Sequence, residues 1–280
     1  MLKVGFISYL NAYPFYYPFE IMPQEACIGW EFTVARPGVL NKMLHDKELD
    51  ISLVSFMEYA SNPDQYEIIK GIGLSSKGYV DSVRLISKKP IEELNGCEIR
   101  TTSASATSVA VMEILLKEHG VNSYTCCRYD VNKGIPDCEA ALTIGDEALT
   151  ADTHEFQYSY DLGEIWKNLF NRNIVFAVCA VQKDAVEWKM TDLNSFVREL
   201  QNAPKFCQKN RDEFEEACYR RYPDIANPMQ YLDRLHFQME EHEEDDLQFF
   251  LRKAYEYKLI NKLFEPEYFV PALELASGDF

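Results

Sequence analysis

The sequence predicts an α/β protein with two lobes, a cleft between them and a helical C-terminal region. Short apolar runs alternate with helical spacings as far as Gln182, which is typical of a mostly parallel sheet covered by helices. Polar turns that follow predicted strands form two groups, at residues 8–14 and 102–108, and a cleft between two lobes would bring such groups together. Residues 191–262 have helical spacing and contain no strong strand.

The predicted strands are short runs of apolar and β-branched residues that end at turn residues or proline. They are Lys3–Ser8, Glu31–Ala35, Leu49–Ser55, Tyr79–Ser87, Glu98–Thr102, Ala140–Ile144 and Ile174–Gln182. Helical spacing predicts helices over Val39–His45 and Ser105–Glu118. We interpret the acidic run Glu240–Asp246 as the solvated face of a helix.

The order of these elements predicts how the chain divides into lobes. Residues 1–87 and 183–280 are expected to form lobe one, and residues 95–173 to form lobe two. Two strong strands flank the middle segment, so we expect the chain to cross between the lobes within residues 82–87 and again within residues 175–181.

The composition limits the location and the partners of the protein. The chain has 280 residues and a formal net charge of −17, which disfavours nucleic acid and anionic membrane as partners. The first residues lack the pattern of a signal peptide, and no apolar run reaches the ~20 residues of a membrane span, so a cytoplasmic protein is predicted. The eight cysteines have no metal-ligand spacing, so we expect buried free thiols and no metal site. Oligomeric state is left open.

The first candidate site is the turn Ser8–Pro14 (SYLNAYP), directly after the first strand. In open α/β sheets, ligands bind beyond the carboxyl ends of strands, and Ser8 and Asn11 offer neutral hydrogen-bonding groups there. In the alternative interpretation, Asn11 caps the following helix and Pro14 lies in its first turn. The local pattern leaves both interpretations open.

The second candidate site is the hydroxyl-rich segment Thr101–Ser108 (TTSASATS), between a strand and a helix. Backbone N–H groups at a helix start carry partial positive charge, and hydroxyls add donors, so this segment could bind a carboxylate or phosphate without Lys or Arg. The alternative is an elaborate helix cap. The residues expected to bind the anion are Thr102, Ser103, Ser105, Ala106 and Thr107.

Three further polar residues, Ser55, Ser82 and Asp146, stand at the ends or starts of predicted strands. Asp146 could equally be a helix cap, and Glu58 is interpreted as a carboxylate that stabilises a helix start. There is no nucleotide-binding glycine motif, no zinc-protease motif and no nucleophile elbow. The five histidines lie outside all these motifs, so the sequence offers no obvious general base.

Seven motifs, in this order, resemble those of a known family. They are Ser8–Pro14, Leu53–Tyr66, Ser82–Ser87, Thr101–Val109, Ile144–Ala148, Asp161–Trp166 and Val175–Ala180. Together they resemble the chorismate dehydratases of the futalosine pathway of menaquinone biosynthesis, over nearly the whole chain. The chain departs from the family at Leu169–Asn173, where a Thr-Gly-Leu-Pro-like turn is usual, at Cys179 and at Arg84. The resemblance implies a fold like that of type II periplasmic binding proteins, used as a cytoplasmic lyase.

The resemblance also implies a reaction, the dehydration of chorismate to 3-[(1-carboxyvinyl)oxy]benzoate. Aromatisation drives this reaction, so no cofactor is expected. Asn11 and Ser82 are the implied catalytic residues, which orient the substrate while its enolpyruvyl carboxylate takes the ring proton. The predicted substrate-binding residues are Ser8, Ser55, Thr102, Ser103, Ser105, Ala106, Thr107 and Asp146.

Two other interpretations are kept open. One is a small-anion-binding protein of the same fold without catalysis. The other is a related enzyme similar to dihydroxynaphthoate synthase, against which the SYLNAYP start argues.

Overall fold

A computed structural model describes residues 1–102, 105–130 and 133–272 of the chain. The strands are β1 (Leu2–Ile7), β2 (Trp30–Ala35), β3 (Ile51–Ser55), β4 (Tyr66–Ser76), β5 (Val83–Ser87), β6 (Glu98–Thr101), β7 (Thr125–Arg128), β8 (Ala140–Ile144), β9 (Tyr158–Asp161), β10 (Ile174–Gln182), β11 (Leu235–His236) and β12 (Tyr268–Phe269). The helices are α1 (Tyr13–Ile21), α2 (Pro37–His45), α3 (Phe56–Ser61), α4 (Ala106–Glu118), α5 (Gly145–Thr150), α6 (Leu162–Phe170), α7 (Lys183–Trp188), α8 (Met190–Lys209), α9 (Arg211–Arg221), α10 (Pro228–Leu232) and α11 (Glu241–Glu256).

The strands form two sheets, one in each lobe. The first sheet has the order β11-β4-β10-β3-β1-β2, and β12 pairs with β4. The second sheet has the order β7-β6-β8-β5-β9. In the first sheet β1 pairs in parallel with β2 and β3, and β10 pairs antiparallel with β3. In the second sheet β6 pairs in parallel with β7 and β8, and β5 pairs antiparallel with β8. The two lobes therefore share one arrangement, in which the carboxyl ends of three parallel strands meet at one edge.

The two strands expected to cross between the lobes do not cross. Within the described residues, β5 pairs in the second sheet with β8 and β9, and β10 pairs in the first sheet with β3 and β4. The prediction was wrong because a strong apolar run indicates burial and not the sheet that a strand joins. The chain instead passes between the sheets at residues 77–82 and 171–173, so residues 83–87 lie in lobe two and not in lobe one.

The first linker, residues 77–82, is held by a buried carboxylate from lobe two. Asp161 accepts hydrogen bonds from the backbone N–H groups of Val80 at 3.1 Å and Asp81 at 2.6 Å, and it caps α6 by accepting from Glu164 N–H. Burial raises the pKa of Asp161, and these three donors oppose that rise. The linker is thus tied to the start of α6.

The second linker, residues 171–173, is held by Asp246 of α11. Its carboxylate accepts from the Asn173 backbone N–H at 3.0 Å and from the Arg172 guanidinium at 3.3 Å. Asp246 is 5% exposed and Glu243 is 1% exposed, so the interpretation of Glu240–Asp246 as a solvated face is wrong for these two residues. The partners of Asp246 lie far away in the sequence, whereas Glu243 is buried among its near neighbours His236, Glu240 and His242.

The other departures from the family pattern lie inside the sheets. Cys179 is buried in β10 opposite Leu53, and Arg84 donates from β5 to the Ser159 hydroxyl of β9. All eight cysteines are free thiols, but only Cys179, Cys207 and Cys218 are buried, so the prediction of buried thiols is wrong for the other five. In the described part of the chain, no helix is long and apolar enough to span a membrane.

Candidate active site

The cleft between the two lobes is lined by neutral side chains. Its apolar walls are Ile7, Pro37, Leu74, Val80, Val83, Ile144, Phe176, Ala177 and Leu235. Its polar lining consists of Tyr9, Asn11, Ser55, Ser82, Ser105 and Ser108. Among the described residues that line the cleft, none carries a titrating acid or base other than the phenol of Tyr9, whose pKa burial raises to about 12.

Asn11 reaches the cleft from a single 3-10 turn, Leu10–Ala12, between β1 and α1. The capping interpretation is wrong, because α1 begins after Ala12 and no side chain caps it. The Asn11 Oδ1 atom is buried and has no hydrogen-bond partner within the described residues. A buried amide oxygen without a partner costs free energy, which is typical of a group that a ligand satisfies.

Ser82 lies at the end of the first linker, with its side chain buried against the C-terminal region. Its Oγ accepts a hydrogen bond of 2.8 Å from the Tyr231 hydroxyl. Ser82 and Asn11, the two residues predicted as catalytic, both line the cleft. Sequence reasoning missed Tyr231, which stands in α10 and resembles any core tyrosine of an amphipathic helix.

Ser55 and Ser8 follow neighbouring parallel strands of the first sheet. Ser55 ends β3, is buried and lines the cleft, and its Oγ accepts from the Asn41 amide at 3.4 Å. Ser8 follows β1 but lies at the outer mouth of the cleft, in a hollow that Arg36 and Asp146 also line. The structure therefore brings Ser55 to the cleft itself and Ser8 only to its entrance.

The hydroxyl-rich segment contributes two serines to the cleft. Ser105 is the N-cap of α4, and its Oγ accepts from the Ser108 N–H at 3.2 Å and lies 2.9 Å from the Ser108 Oγ. Both serines line the cleft. The segment is therefore a helix cap and a polar wall of the cleft at once, and Ser108 joins the residues predicted from the sequence.

Three other residues of this segment do not line the cleft, so that expectation is wrong for them. The Thr107 hydroxyl is buried and accepts from the Met57 N–H at 3.1 Å, which joins α4 to α3 of the other lobe. Thr102 and Ala106 line a separate surface hollow. Successive helical residues point about 100° apart, so Ser105 and Ser108 share a face that Thr107 cannot share. Ser103 lies outside the described residues.

A contact between the lobes closes the mouth of the cleft. The Asp146 carboxylate of α5 accepts from the Leu10 N–H at 2.9 Å, and Tyr9 packs against Gly145. Gly145 has φ +59°, and a Cβ atom there would lie 2.7 Å from the Tyr9 ring, so only glycine fits. Burial raises the pKa of Asp146 to about 6, against the Leu10 hydrogen bond and the Arg36 charge, which lower it. Asp146 is no helix cap, since α5 has no side-chain cap.

Phe176 reaches the cleft through an irregularity in β10. Val175 pairs with Ser75 and Ala177 pairs with Leu74, so two steps along β10 match one step along β4. Such a bulge turns the extra side chain away from the regular alternation. Phe176 thereby presents its ring as one wall of the cleft.

One cluster with metal-ligand chemistry lies outside the cleft lining. The Glu243 Oε1 lies 2.6 Å from His236 Nδ1 and 2.8 Å from His242 Nε2. These are hydrogen-bond distances, and the Glu240 N–H donates to the other carboxylate oxygen, Oε2, so the group satisfies itself.

Two sheets of one topology, joined by two short linkers around a cleft, define the class of periplasmic-binding-protein-like folds. A protein from Archaeoglobus fulgidus has a structure similar to this one, with a TM-score of 0.75, 17% identity and coverage of 92% of this chain and 98% of that chain. The alkanesulfonate-binding protein SsuA from Xanthomonas axonopodis pv. citri, bound to MOPS, is similar with a TM-score of 0.68 and 10% identity, over 96% of this chain and 98% of that chain. A Candida albicans gene product described as having the generic periplasmic binding protein fold is similar with a TM-score of 0.66 and 13% identity, over 94% of this chain and 92% of that chain. These likenesses show the fold, which confirms the predicted fold class.

The family follows from the sequence comparisons. The chain matches the family described as menaquinone biosynthesis over residues 2–256, and it belongs to that family. A chorismate dehydratase from Thermus thermophilus is 28% identical over 176 residues. That match spans 56% of this chain and 63% of the relative, which is less than two thirds of the relative's length.

Proposed function

We propose that this protein is a carbon–oxygen lyase that dehydrates chorismate to 3-[(1-carboxyvinyl)oxy]benzoate in menaquinone biosynthesis. The observation that carries the proposal is the family match over residues 2–256 together with a cleft whose polar lining is neutral. An enzyme that removed the ring proton with its own base would need a titrating group within reach of the cleft. Here the substrate's enolpyruvyl carboxylate supplies the base.

Each group of cleft residues has its own role in this reaction. Ser105 and Ser108, at the start of the 13-residue helix α4, bind one substrate carboxylate through hydroxyls and the helix dipole. Asn11 and Ser82 hold the hydroxyl at C4, which leaves as the ring becomes aromatic. The ring itself packs on Phe176. Closure through Asp146 and Leu10 excludes water and strengthens these polar contacts.

The balance of the reaction needs no cofactor. The C3–H bond breaks and its proton passes to the enolpyruvyl carboxylate, while the C4–O bond breaks and its electron pair leaves with the hydroxyl. The departing hydroxide and the transferred proton together make one water. The cytoplasmic location and the lack of nucleic-acid partners stay predictions from the sequence.

Incubation of the purified protein with chorismate tests the proposal. We expect chorismate to disappear and an aromatic product lighter by one water to appear by absorbance and mass spectrometry. Ser82→Ala should lose about 100-fold in rate, whereas Ser61→Ala, at the far end of α3, should keep the native rate. Binding of chorismate without turnover would favour the small-anion-binding alternative. If the protein neither binds nor converts chorismate, that result would favour a related enzyme with another substrate.

A further inference from the structure

Tyr231 holds one of the two residues predicted as catalytic. It lies in α10, in the C-terminal helical region, and its side chain is 3% exposed. Its hydroxyl donates to the Ser82 Oγ at 2.8 Å. Ser82 lines the cleft together with Asn11, the other residue predicted as catalytic.

The phenol has a single proton to donate. Tyr231 gives that proton to Ser82, which fixes the direction of this bond. The Asn11 Oδ1, on the same cleft, is a buried oxygen without a partner in the described residues, so it is left to accept from a ligand.

The same count applies to Ser82. Its oxygen accepts the Tyr231 proton, so its own proton is left for another acceptor. Ser82 lines the cleft, and a substrate oxygen there is an acceptor within reach. Burial raises the pKa of Tyr231, so the phenol keeps its proton at neutral pH and the directions of these bonds persist.

We propose that Tyr231 is a positioning residue that makes Ser82 a hydrogen-bond donor toward the leaving hydroxyl of the substrate. This inference rests on the proposed function. The hydroxyl accepts from the Ser82 O–H, which stabilises the negative charge that develops as the C4–O bond breaks, and it donates to the Asn11 Oδ1. Tyr231 contacts neither the substrate nor the reacting atoms and acts through Ser82.

Tyr231→Phe removes the hydroxyl and keeps the ring, so it tests this role. Ser82 then loses the partner that orients it, and we expect kcat to fall by about 10- to 100-fold with KM changed less than about threefold. The matched control is Tyr59→Phe. Its hydroxyl is also buried and accepts from the Glu267 N–H at 2.9 Å, away from the cleft, so native kcat is expected.

A double-mutant cycle separates positioning from a merely structural effect. In the Ser82→Ala background we expect Tyr231→Phe to cost less than about threefold, because the hydroxyl that it positions is already gone. Equal costs in the two backgrounds, or native kcat in Tyr231→Phe, would overturn the inference.

A measurement without turnover keeps the inference independent of the proposed function. A hydroxyl proton buried in this bond should exchange slowly and give a resolved NMR signal. That signal should be missing in Tyr231→Phe and shifted in Ser82→Ala, with the Tyr59→Phe spectrum unchanged at that position. If the wild-type protein fails to convert chorismate while the signal behaves this way, the proposed function fails and the network stands. A signal unaffected by Ser82→Ala overturns the network.

Discussion

The two lobes have the same strand arrangement, yet the turn after the first strand of each does different work. After β1, the turn Leu10–Ala12 presents Asn11 to the cleft without capping the helix that follows. After β6, Ser105 caps α4 and lines the cleft at the same time. The shared topology therefore determines where each turn meets the cleft, whereas the side chains in the turn determine its chemistry.

The lobes also differ in what surrounds their sheets. The first sheet is packed by the helices that follow β10. These helices supply Tyr231, which donates to Ser82, and Asp246, which holds the second linker. The second sheet ends in β7, of which three of four residues are exposed. The C-terminal helices of lobe one thus reach the cleft residue Ser82 and the second linker, whereas lobe two contributes Ser105 and Ser108 to the cleft.

The largest expected effect comes from preventing this closure. Gly145→Ala places a methyl group 2.7 Å from the Tyr9 ring, so the lobes must sit further apart. A displacement of about 1 Å can cost about 100-fold in rate, and we expect turnover to fall by at least about that factor. Steady-state kinetics with chorismate measure it.

The control for this variant is Gly96→Ala. Gly96 has φ +79° and nothing within 4 Å of an added Cβ, so it carries the same backbone strain without the clash. It should lose about 1 kcal/mol of unfolding free energy and keep its turnover. Equal turnover in the two variants would mean that the Tyr9 contact does not close the cleft.

A smaller effect is expected from Asp146→Asn. The ionised carboxylate accepts more strongly from the Leu10 N–H than a neutral amide does, so we expect kcat/KM to fall about fivefold at neutral pH. In the wild-type protein, kcat/KM should also decline below pH ~6, where Asp146 becomes protonated, and this decline should be absent in the variant. Asp152→Asn, at the same mouth but exposed, should keep the native profile.

The free energy of unfolding should depend on pH in the opposite sense to kcat/KM. The folded-state pKa of Asp146 lies above its ordinary value of 3.8, so the folded state holds this proton more tightly than the unfolded state. Its contribution to the free energy of unfolding is therefore present at low pH and is lost as pH rises from about 4 to 6. Denaturant titrations of wild type and Asp146→Asn across this range measure the difference. The same acid decline of kcat/KM in both proteins would contradict the role of Asp146.

The smallest effect on activity is expected from Thr107→Val. Its hydroxyl satisfies the Met57 N–H between α4 and α3, so its loss should reduce the free energy of unfolding by about 1–2 kcal/mol. Substrate affinity should stay native, because Thr107 does not line the cleft. Thr107→Ser retains the hydroxyl and should recover most of the stability. Weaker substrate binding by Thr107→Val at native stability would restore the sequence-based expectation.

Local patterns were enough to predict much of the fold. Each of the seven predicted strands is present, and Ala140–Ile144 and Ile174–Gln182 have the predicted bounds. The longest strand, Tyr66–Ser76, was not predicted, because Gly71 and Gly73 interrupt its apolar pattern. Sheet membership could not be predicted either, since pairing is a contact between distant segments.

In the candidate site, too, local features could be predicted from the sequence and contacts between distant residues could not. The turn Ser8–Pro14 correctly indicated that Asn11 reaches the cleft, because a strand end and a polar turn are local features. The contact of Tyr231 with Ser82 spans 149 positions, so no local pattern marks it. One signal was available and unused, since the spacing of three between Ser105 and Ser108 places both on one helix face.

The most direct test of the account measures the turnover of chorismate by Asn11→Ala. Asn11 comes from lobe one and lines the cleft, and its buried Oδ1 has no hydrogen-bond partner within the described residues. Because it caps no helix, its loss should leave the unfolding midpoint nearly unchanged and lower the rate of product formation by about 100-fold. Product formation at the native rate would contradict the account, and so would a large loss of stability that explains the lost rate.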